Sequence, residues 1–166
     1  MISEDDAKLT PEQVRKVADR FRRLCSRREY CSADVMKKAT QALEGDARLA
    51  AEVVALLQKE GYVDDARYAE AYVRDKSSLA GWGQTKIRYM LRAKEINPDL
   101  IDSAMVLIDR GRADVKLRKL IENKYNSLKD DSQCRMKLLR YVLGRGYAYE
   151  EAKCVIDNIL EGKTNN

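Results

Sequence analysis

The sequence of 166 residues contains no histidine. Histidine is the commonest general base, a frequent metal ligand and the usual partner of a serine or cysteine nucleophile. The sequence also lacks the phosphate-loop and dinucleotide-binding glycine patterns. We therefore predict a protein that is not an enzyme, has no catalytic residues, and binds neither a cofactor nor a metal ion.

Cysteines and long hydrophobic runs are also scarce. The four cysteines form neither a CxxC pair nor a zinc-type spacing, which predicts reduced thiols: Cys25, Cys31, Cys134 and Cys154. No run of 18 apolar residues is present, and the acidic start of the chain has no hydrophobic segment behind it. We expect a soluble cytoplasmic protein that is not exported and does not span a membrane.

Only two prolines occur, and both stand where a helix would begin. Pro11 follows Thr10, and Gln13 completes the pattern of a capping box. Pro98 follows Asn97, another helix-capping residue type. No alternating strand pattern or Asn-Gly hairpin interrupts the helical periodicity, so we predict an all-α protein.

Two pairs of acidic residues are the only plausible sites of carboxylate chemistry. They are Asp64-Asp65 and Asp130-Asp131, and each pair lies just before a predicted helix. Aspartate at that position accepts hydrogen bonds from free amides and favours the positive end of the helix dipole. Capping is therefore favoured over metal binding at both pairs.

The chain repeats itself about every 51 residues. Four apolar positions recur as one helical stripe: Ala50/Ile101/Ala152, Val53/Ala104/Val155, Val54/Met105/Ile156 and Leu57/Ile108/Ile159. A second helix repeats in Ile87/Leu138, Leu91/Val142, Lys94/Arg145 and Ile96/Tyr147, and a first helix in Val17/Tyr68, Ala18/Ala69 and Phe21/Tyr72. The third copy of the first helix, between Val115 and Tyr125, has no clear register.

This periodicity predicts three tandem three-helix repeats that form an elongated, curved helical array. The predicted boundaries are an N-terminal extension at 1–11, repeats at 12–62, 63–111 and 112–161, and a disordered tail at 162–166. An array of this kind is normally a binding surface.

The basic residues concentrate on the predicted second helices. Residues 76–94 contain five basic residues and no acid, and residues 132–149 contain four basic residues and no acid. Acids gather on the third helices, at Asp99, Asp102, Asp109, Glu150, Glu151 and Asp157. Such a polarised surface favours a partner that carries phosphates. The alternative is that the basic side chains only solvate the exposed faces of amphipathic helices.

The central part of the chain contains the run EGYVDDARYAEAYVR at 60–74, followed by Gly81-Trp82-Gly83. Together with Arg145-Gly146-Tyr147 near the end of the chain, these motifs resemble the RecX family of recombination regulators. The resemblance implies a protein of three three-helix repeats that binds the RecA recombinase, lies in the groove of the RecA filament on DNA, and inhibits ATP hydrolysis and strand exchange.

The predicted interface consists of basic side chains on the helix faces. These are Arg67, Arg74, Lys76, Lys86, Arg88, Arg92, Lys94, Lys137, Arg140 and Arg145. We expect a monomer that binds the RecA filament and makes weak, non-specific contacts with the nucleic-acid backbone. Two alternatives are a stand-alone helix-turn-helix DNA-binding protein and a scaffold for an unrelated acidic protein. For Trp82, packing onto the following helix is favoured over stacking on a base.

Overall fold

The computed structural model describes residues 10–164, which form helices joined by turns, without a strand in that range. The helices are α1 (Pro11–Cys25), α2 (Ser32–Ala42), α3 (Ala47–Lys59), α4 (Asp65–Arg74), α5 (Gln84–Ala93), α6 (Pro98–Met105), α7 (Arg110–Asn126), α8 (Cys134–Gly144) and α9 (Tyr149–Thr164). A π-helical turn, Asp75–Leu79, continues α4. The all-α prediction is confirmed. Within residues 10–164, every helix is too short or too polar to cross a bilayer.

Both proline-marked helix starts are confirmed. The Thr10 hydroxyl accepts a hydrogen bond from the Gln13 amide at 3.3 Å, and the Gln13 side chain accepts one from the Thr10 amide at 2.6 Å. The Asn97 side chain accepts a hydrogen bond from the Asp99 amide at 2.8 Å. These bonds satisfy amides that have no partner inside their own helix.

The Asp64-Asp65 pair caps two different helices. Asp64 accepts a hydrogen bond from the Arg67 amide in the first turn of α4, at 3.0 Å. Asp65 accepts from the backbone amide and the hydroxyl of Ser32, the first residue of α2, at 2.7 and 2.5 Å. The residue before Ser32 is Cys31, which makes no side-chain cap. The capping prediction is confirmed for Asp64, whereas Asp65 stabilises a helix 33 residues earlier in the chain. In the second pair, Asp131 accepts a hydrogen bond from the Gln133 amide just before α8, at 2.8 Å.

The chain divides into two compact units, one that ends at Tyr68 and one that begins at Ala69. Apart from residues 65–68 at the start of α4, the helices of the second and third predicted repeats therefore lie in one unit. Residues 1–9 of the predicted extension and residues 165 and 166 of the predicted tail lie outside the described residues. Helix α9 continues to Thr164, beyond the predicted boundary at 161.

The first unit has its own core around α1, α2 and α3. All four stripe residues of α3 are buried: Ala50, Val53, Val54 and Leu57. Phe21 of α1 and Val35 of α2 pack into the same cluster. Because each helix contributes only one apolar face, the three helices must pack together to remove these side chains from water.

The second unit follows the stripe except at two residues, Ile108 and Val155. Ile101, Ala104 and Met105 of α6 are buried, but the next stripe residue, Ile108, is only partly buried. Helix α6 ends at Met105, so Ile108 lies in the turn that follows and leaves the helical register. In α9, three of the four stripe residues are buried and Val155 is partly buried.

The register of the third copy of the first helix is set by tertiary packing. Leu117 and Ile121 of α7 are buried, whereas Val115 is 67% exposed. The buried pair follows Ala69 and Val73 of α4 by 48 residues, not 51. This shortened spacing explains why a fixed period does not align the third copy.

Candidate partner-binding surface

Two glycine-containing turns meet backbone to backbone at the centre of the second unit. The Gly83 amide donates a hydrogen bond to the Arg145 carbonyl at 2.8 Å, and the Thr85 amide donates one to the Gly146 carbonyl at 3.1 Å. A Cβ atom on Gly83 would lie closer than 3.0 Å to the Gly146 carbonyl. Glycine is required here because the two backbones approach so closely. This joint positions the turns on which Trp82 and Arg145 lie.

Trp82 packs against lysines, as the packing interpretation predicts. The ammonium groups of Lys76 and Lys86 lie over its ring, at 4.8 and 4.4 Å from the centroid. Its ring also meets that of Tyr72 edge to face, with centroids 6.4 Å apart. A stacked base would have to compete with these cation–π contacts, which hold the two predicted interface lysines close to the protein.

Arg145 is engaged inside the second unit. Its guanidinium donates a hydrogen bond to the Ala80 carbonyl at 2.9 Å and lies over the Tyr141 ring, 4.9 Å from the centroid. Arg145 is only partly exposed. Its contacts join the turn after α8 to the turn before α5, so this side chain stabilises the glycine joint.

Arg67 is similarly engaged in the first unit. It donates hydrogen bonds to the Glu29 carboxylate at 2.6 Å and to the Gly61 carbonyl at 3.1 Å. The hydrogen bond that Arg67 donates to Glu29 is the main cause of the raised pKa of Arg67. The side chain therefore ties together two turns of its own unit.

Two further predicted residues form ion pairs. Arg88 donates to the carboxylate of Asp102, which lies on α6, and Lys137 donates to that of Asp131. The hydrogen bond from Lys137 is the main cause of a lowered pKa of Asp131. Asp102, on a predicted acidic helix, is thus neutralised by the neighbouring basic helix α5.

The same pairing of second and third helices recurs between α8 and α9. Arg135 donates two hydrogen bonds to Asp157, at 2.6 and 3.1 Å, and Lys153 donates one to it at 3.1 Å. These hydrogen bonds lower the pKa of Asp157, and the bonds from Arg135 have the largest effect. The charge segregation along the sequence therefore serves helix packing as well as any partner.

Three of the ten predicted residues are exposed and have no side-chain partner among residues 10–164. They are Arg74 at the end of α4, Arg92 on α5 and Arg140 on α8. Lys94, the remaining residue of the set, is partly buried. All three arginines belong to the second unit. A guanidinium group that has no internal partner is free to bind an external anion.

Comparison with known proteins places these features in one family. The family model for "RecX, second three-helix domain" matches residues 64–105. A regulatory protein RecX from Clostridium tetani is 31% identical over 112 residues, which cover 65% of this chain and 51% of that protein. One from Pectobacterium atrosepticum is 29% identical over 143 residues, covering 85% of this chain and 87% of that protein. The chain spans about half the length of three clostridial relatives that it matches, from Clostridium tetani, Clostridium acetobutylicum and Clostridium perfringens.

Solved structures agree on the fold. The crystal structure of RecX from Lactobacillus salivarius has a TM-score of 0.73 at 20% identity and covers 90% of this chain and 97% of that one. A second crystal structure, of a regulatory protein RecX, has a TM-score of 0.75 at 20% identity and covers 87% of this chain and 72% of that one. The matched domain, the sequence relatives and the helical fold converge, and the chain belongs to the RecX family.

Proposed function

We propose that this chain is a non-enzymatic regulator that binds the RecA recombinase filament on DNA and inhibits its ATPase and strand-exchange activities. It acts as a monomer and modulates recombination and DNA repair in the cytoplasm. The basic side chains approach the phosphate backbone and make weak contacts that do not depend on sequence.

The observation that carries this proposal is the set of exposed arginines without an internal partner: Arg74, Arg92 and Arg140. Arginine binds phosphate through several donors in one plane, and contacts of this kind fix position without reading bases. The other seven predicted residues support the surface indirectly, because they are already engaged within the protein. We therefore assign the main phosphate contacts to the three free arginines.

The experiment compares two charge-reversed variants with the same change in net charge. Arg92→Glu with Arg140→Glu removes two of the free arginines. The control, Lys119→Glu with Lys129→Glu, reverses two exposed lysines of the same unit that lie outside the predicted interface and have no side-chain partner among residues 10–164. We expect the first variant to relieve inhibition of the DNA-dependent ATPase of RecA and the control to inhibit like the wild type.

Equal inhibition by both variants would contradict the assignment of the arginines. Binding to naked DNA separates the filament proposal from the helix-turn-helix alternative. We expect weak binding whose log affinity falls against log salt by about 0.9 per phosphate contacted on duplex. If naked duplex is bound as tightly as the assembled filament, the stand-alone DNA-binding function replaces the one proposed.

A further inference from the structure

A cavity of about 410 Å³ opens beside Trp82 in the second unit. The start of α5, the first turns of α7 and the start of α9 enclose it, and its lining includes Asp114, Tyr147 and Glu151. Its volume lies in the ~300–1,000 Å³ range of ligand pockets. None of these three lining residues belongs to the basic surface described above.

Tyr147 presents a hydroxyl group to this cavity. The residue is only 6% exposed, yet its hydroxyl has no hydrogen-bond partner among residues 10–164. Burial, followed by the charge of Glu151, raises the pKa of Tyr147 to about 12, and Asp114 adds to the rise. Both carboxylates therefore lie near this hydroxyl. The hydroxyl opens into the cavity, where it can donate a hydrogen bond to a bound ligand or accept one from it.

The two carboxylates also lack a counter-ion. Neither Asp114 nor Glu151 forms an ion pair within the described part of the chain. Partial burial raises the pKa of Glu151, and the neighbouring Asp114 carboxylate raises it further. Arg110 lines the same cavity but pairs with neither acid. Two neighbouring carboxylates disfavour each other's charged form, and a cation that binds between them stabilises the charged form of both.

A second cavity, of about 340 Å³, adjoins the first and shares Gln84, Ile108 and Arg110 with it. Its wall includes Val106, which is 82% exposed. The two cavities thus form one cleft, with Asp114 and Glu151 at one end and Val106 beside the Arg88–Asp102 ion pair at the other. Such a cleft matches an extended peptide that carries a basic side chain beside an apolar one.

We propose that this cleft binds an arginine side chain of a protein partner, with the guanidinium between Asp114, Glu151 and the Tyr147 hydroxyl and an apolar neighbour on Val106. Guanidinium has five donors in one plane, so it can serve both carboxylates and the tyrosine oxygen together. An ammonium group has fewer donors and binds as a point charge. This site is independent of the proposed contact with the RecA filament.

The test uses the full chain and its single tryptophan, Trp82, which lines the cavity and reports through its indole N–H resonance. The probes are N-acetyl-arginine amide, its neutral citrulline counterpart, and a leucyl-arginine amide. We expect a saturable shift of the indole signal with the arginine probe, at least about tenfold weaker binding of the citrulline probe, and tighter binding of the dipeptide.

Variants of the cleft test whether it selects a positively charged ligand. Glu151→Gln should weaken binding of the arginine probe about tenfold, whereas Glu150→Gln, next to it but outside the cavity lining, should leave binding unchanged. Arg110→Gln should tighten binding because it removes a like charge from the wall. Val106→Ser should abolish the advantage of the dipeptide. Far-UV circular dichroism checks that each variant is folded.

Three results would overturn the proposal. The first is that the arginine probe gives no saturable shift or binds no better than the citrulline probe. The second is that Glu151→Gln has no effect or that Arg110→Gln weakens binding, since the cleft would then not select a cation. The third is that a deoxynucleoside monophosphate binds more tightly than the arginine probe, which would make the cleft a nucleotide site.

Discussion

Replacing Gly83 with alanine should separate the two turns that meet at the glycine joint. The added Cβ would lie closer than 3.0 Å to the Gly146 carbonyl, so the backbones must move apart. The two hydrogen bonds across the joint, from the Gly83 and Thr85 amides, would then lengthen or break. The φ of Gly83 is −76°, which alanine adopts freely, so backbone conformation is not the obstacle.

The size of the effect follows from these contacts. Each lost backbone hydrogen bond costs ~0.5–1.5 kcal/mol, and forcing an atom into a closely packed site costs ~1–3 kcal/mol. In the unfolded chain alanine has fewer backbone conformations than glycine, which offsets ~0.4–1 kcal/mol of this loss. We expect Gly83→Ala to lower the free energy of unfolding by about 2–5 kcal/mol.

Gly144→Ala provides a control of opposite sign. Gly144 is the last residue of α8, and an added Cβ there meets nothing within 4 Å. Alanine in a helix is favoured over glycine by ~0.5–1 kcal/mol, so this variant should be slightly more stable than the wild type. The pair therefore separates the close approach at Gly83 from a general effect of replacing glycine.

The assay is urea unfolding followed by both far-UV circular dichroism and the fluorescence of Trp82, which is adjacent to Gly83 in the chain. Hydrogen exchange of the Gly83 and Thr85 amides provides a local measure, and both should exchange faster in the variant. If Gly83→Ala unfolds at the same urea concentration as the wild type and keeps these amides protected, then the two turns are not closely packed in solution.

Other variants test the caps, the charges and the core. Asp65→Ala should cost ~1–3 kcal/mol, measured by urea unfolding, because the Ser32 amide and hydroxyl lose their acceptor. Asp157→Asn should reduce the loss of thermal stability between pH 7 and pH 3. The pKa of Asp157 is lower folded than unfolded, mainly through Arg135, so its stabilisation is present above the unfolded pKa and disappears as pH falls through the folded one. An unchanged pH profile would refute this. Ile101→Ala should cost ~2–5 kcal/mol, with hydrogen exchange loosened around α6 and not in the first unit.

Much of the helical structure could be predicted from the sequence because its signals are local. The capping box at Thr10 joins residues three apart, and the cap at Asn97 joins residues two apart. The buried stripe of α3 follows from the helical period alone. Where packing overrides that period, the prediction is less accurate. Ile108 lies beyond the end of α6, and the buried residues of α7 follow those of α4 by 48 residues instead of 51. Both departures arise because the contacts between helices decide which residues are buried.

The candidate surface could likewise be predicted only in part from the sequence. Charge patterning along the chain was sufficient to choose ten basic residues, but it could not show which of them are already engaged. Arg67 reaches Glu29 across 38 positions, and Arg145 reaches the Ala80 carbonyl across 65. The cleft at Tyr147 gave no sequence signal, because Asp114 lies on α7, Tyr147 in the turn before α9 and Glu151 on α9. Local periodicity and capping therefore determined the helices, while packing between residues distant in sequence decided which charges remain available to a partner.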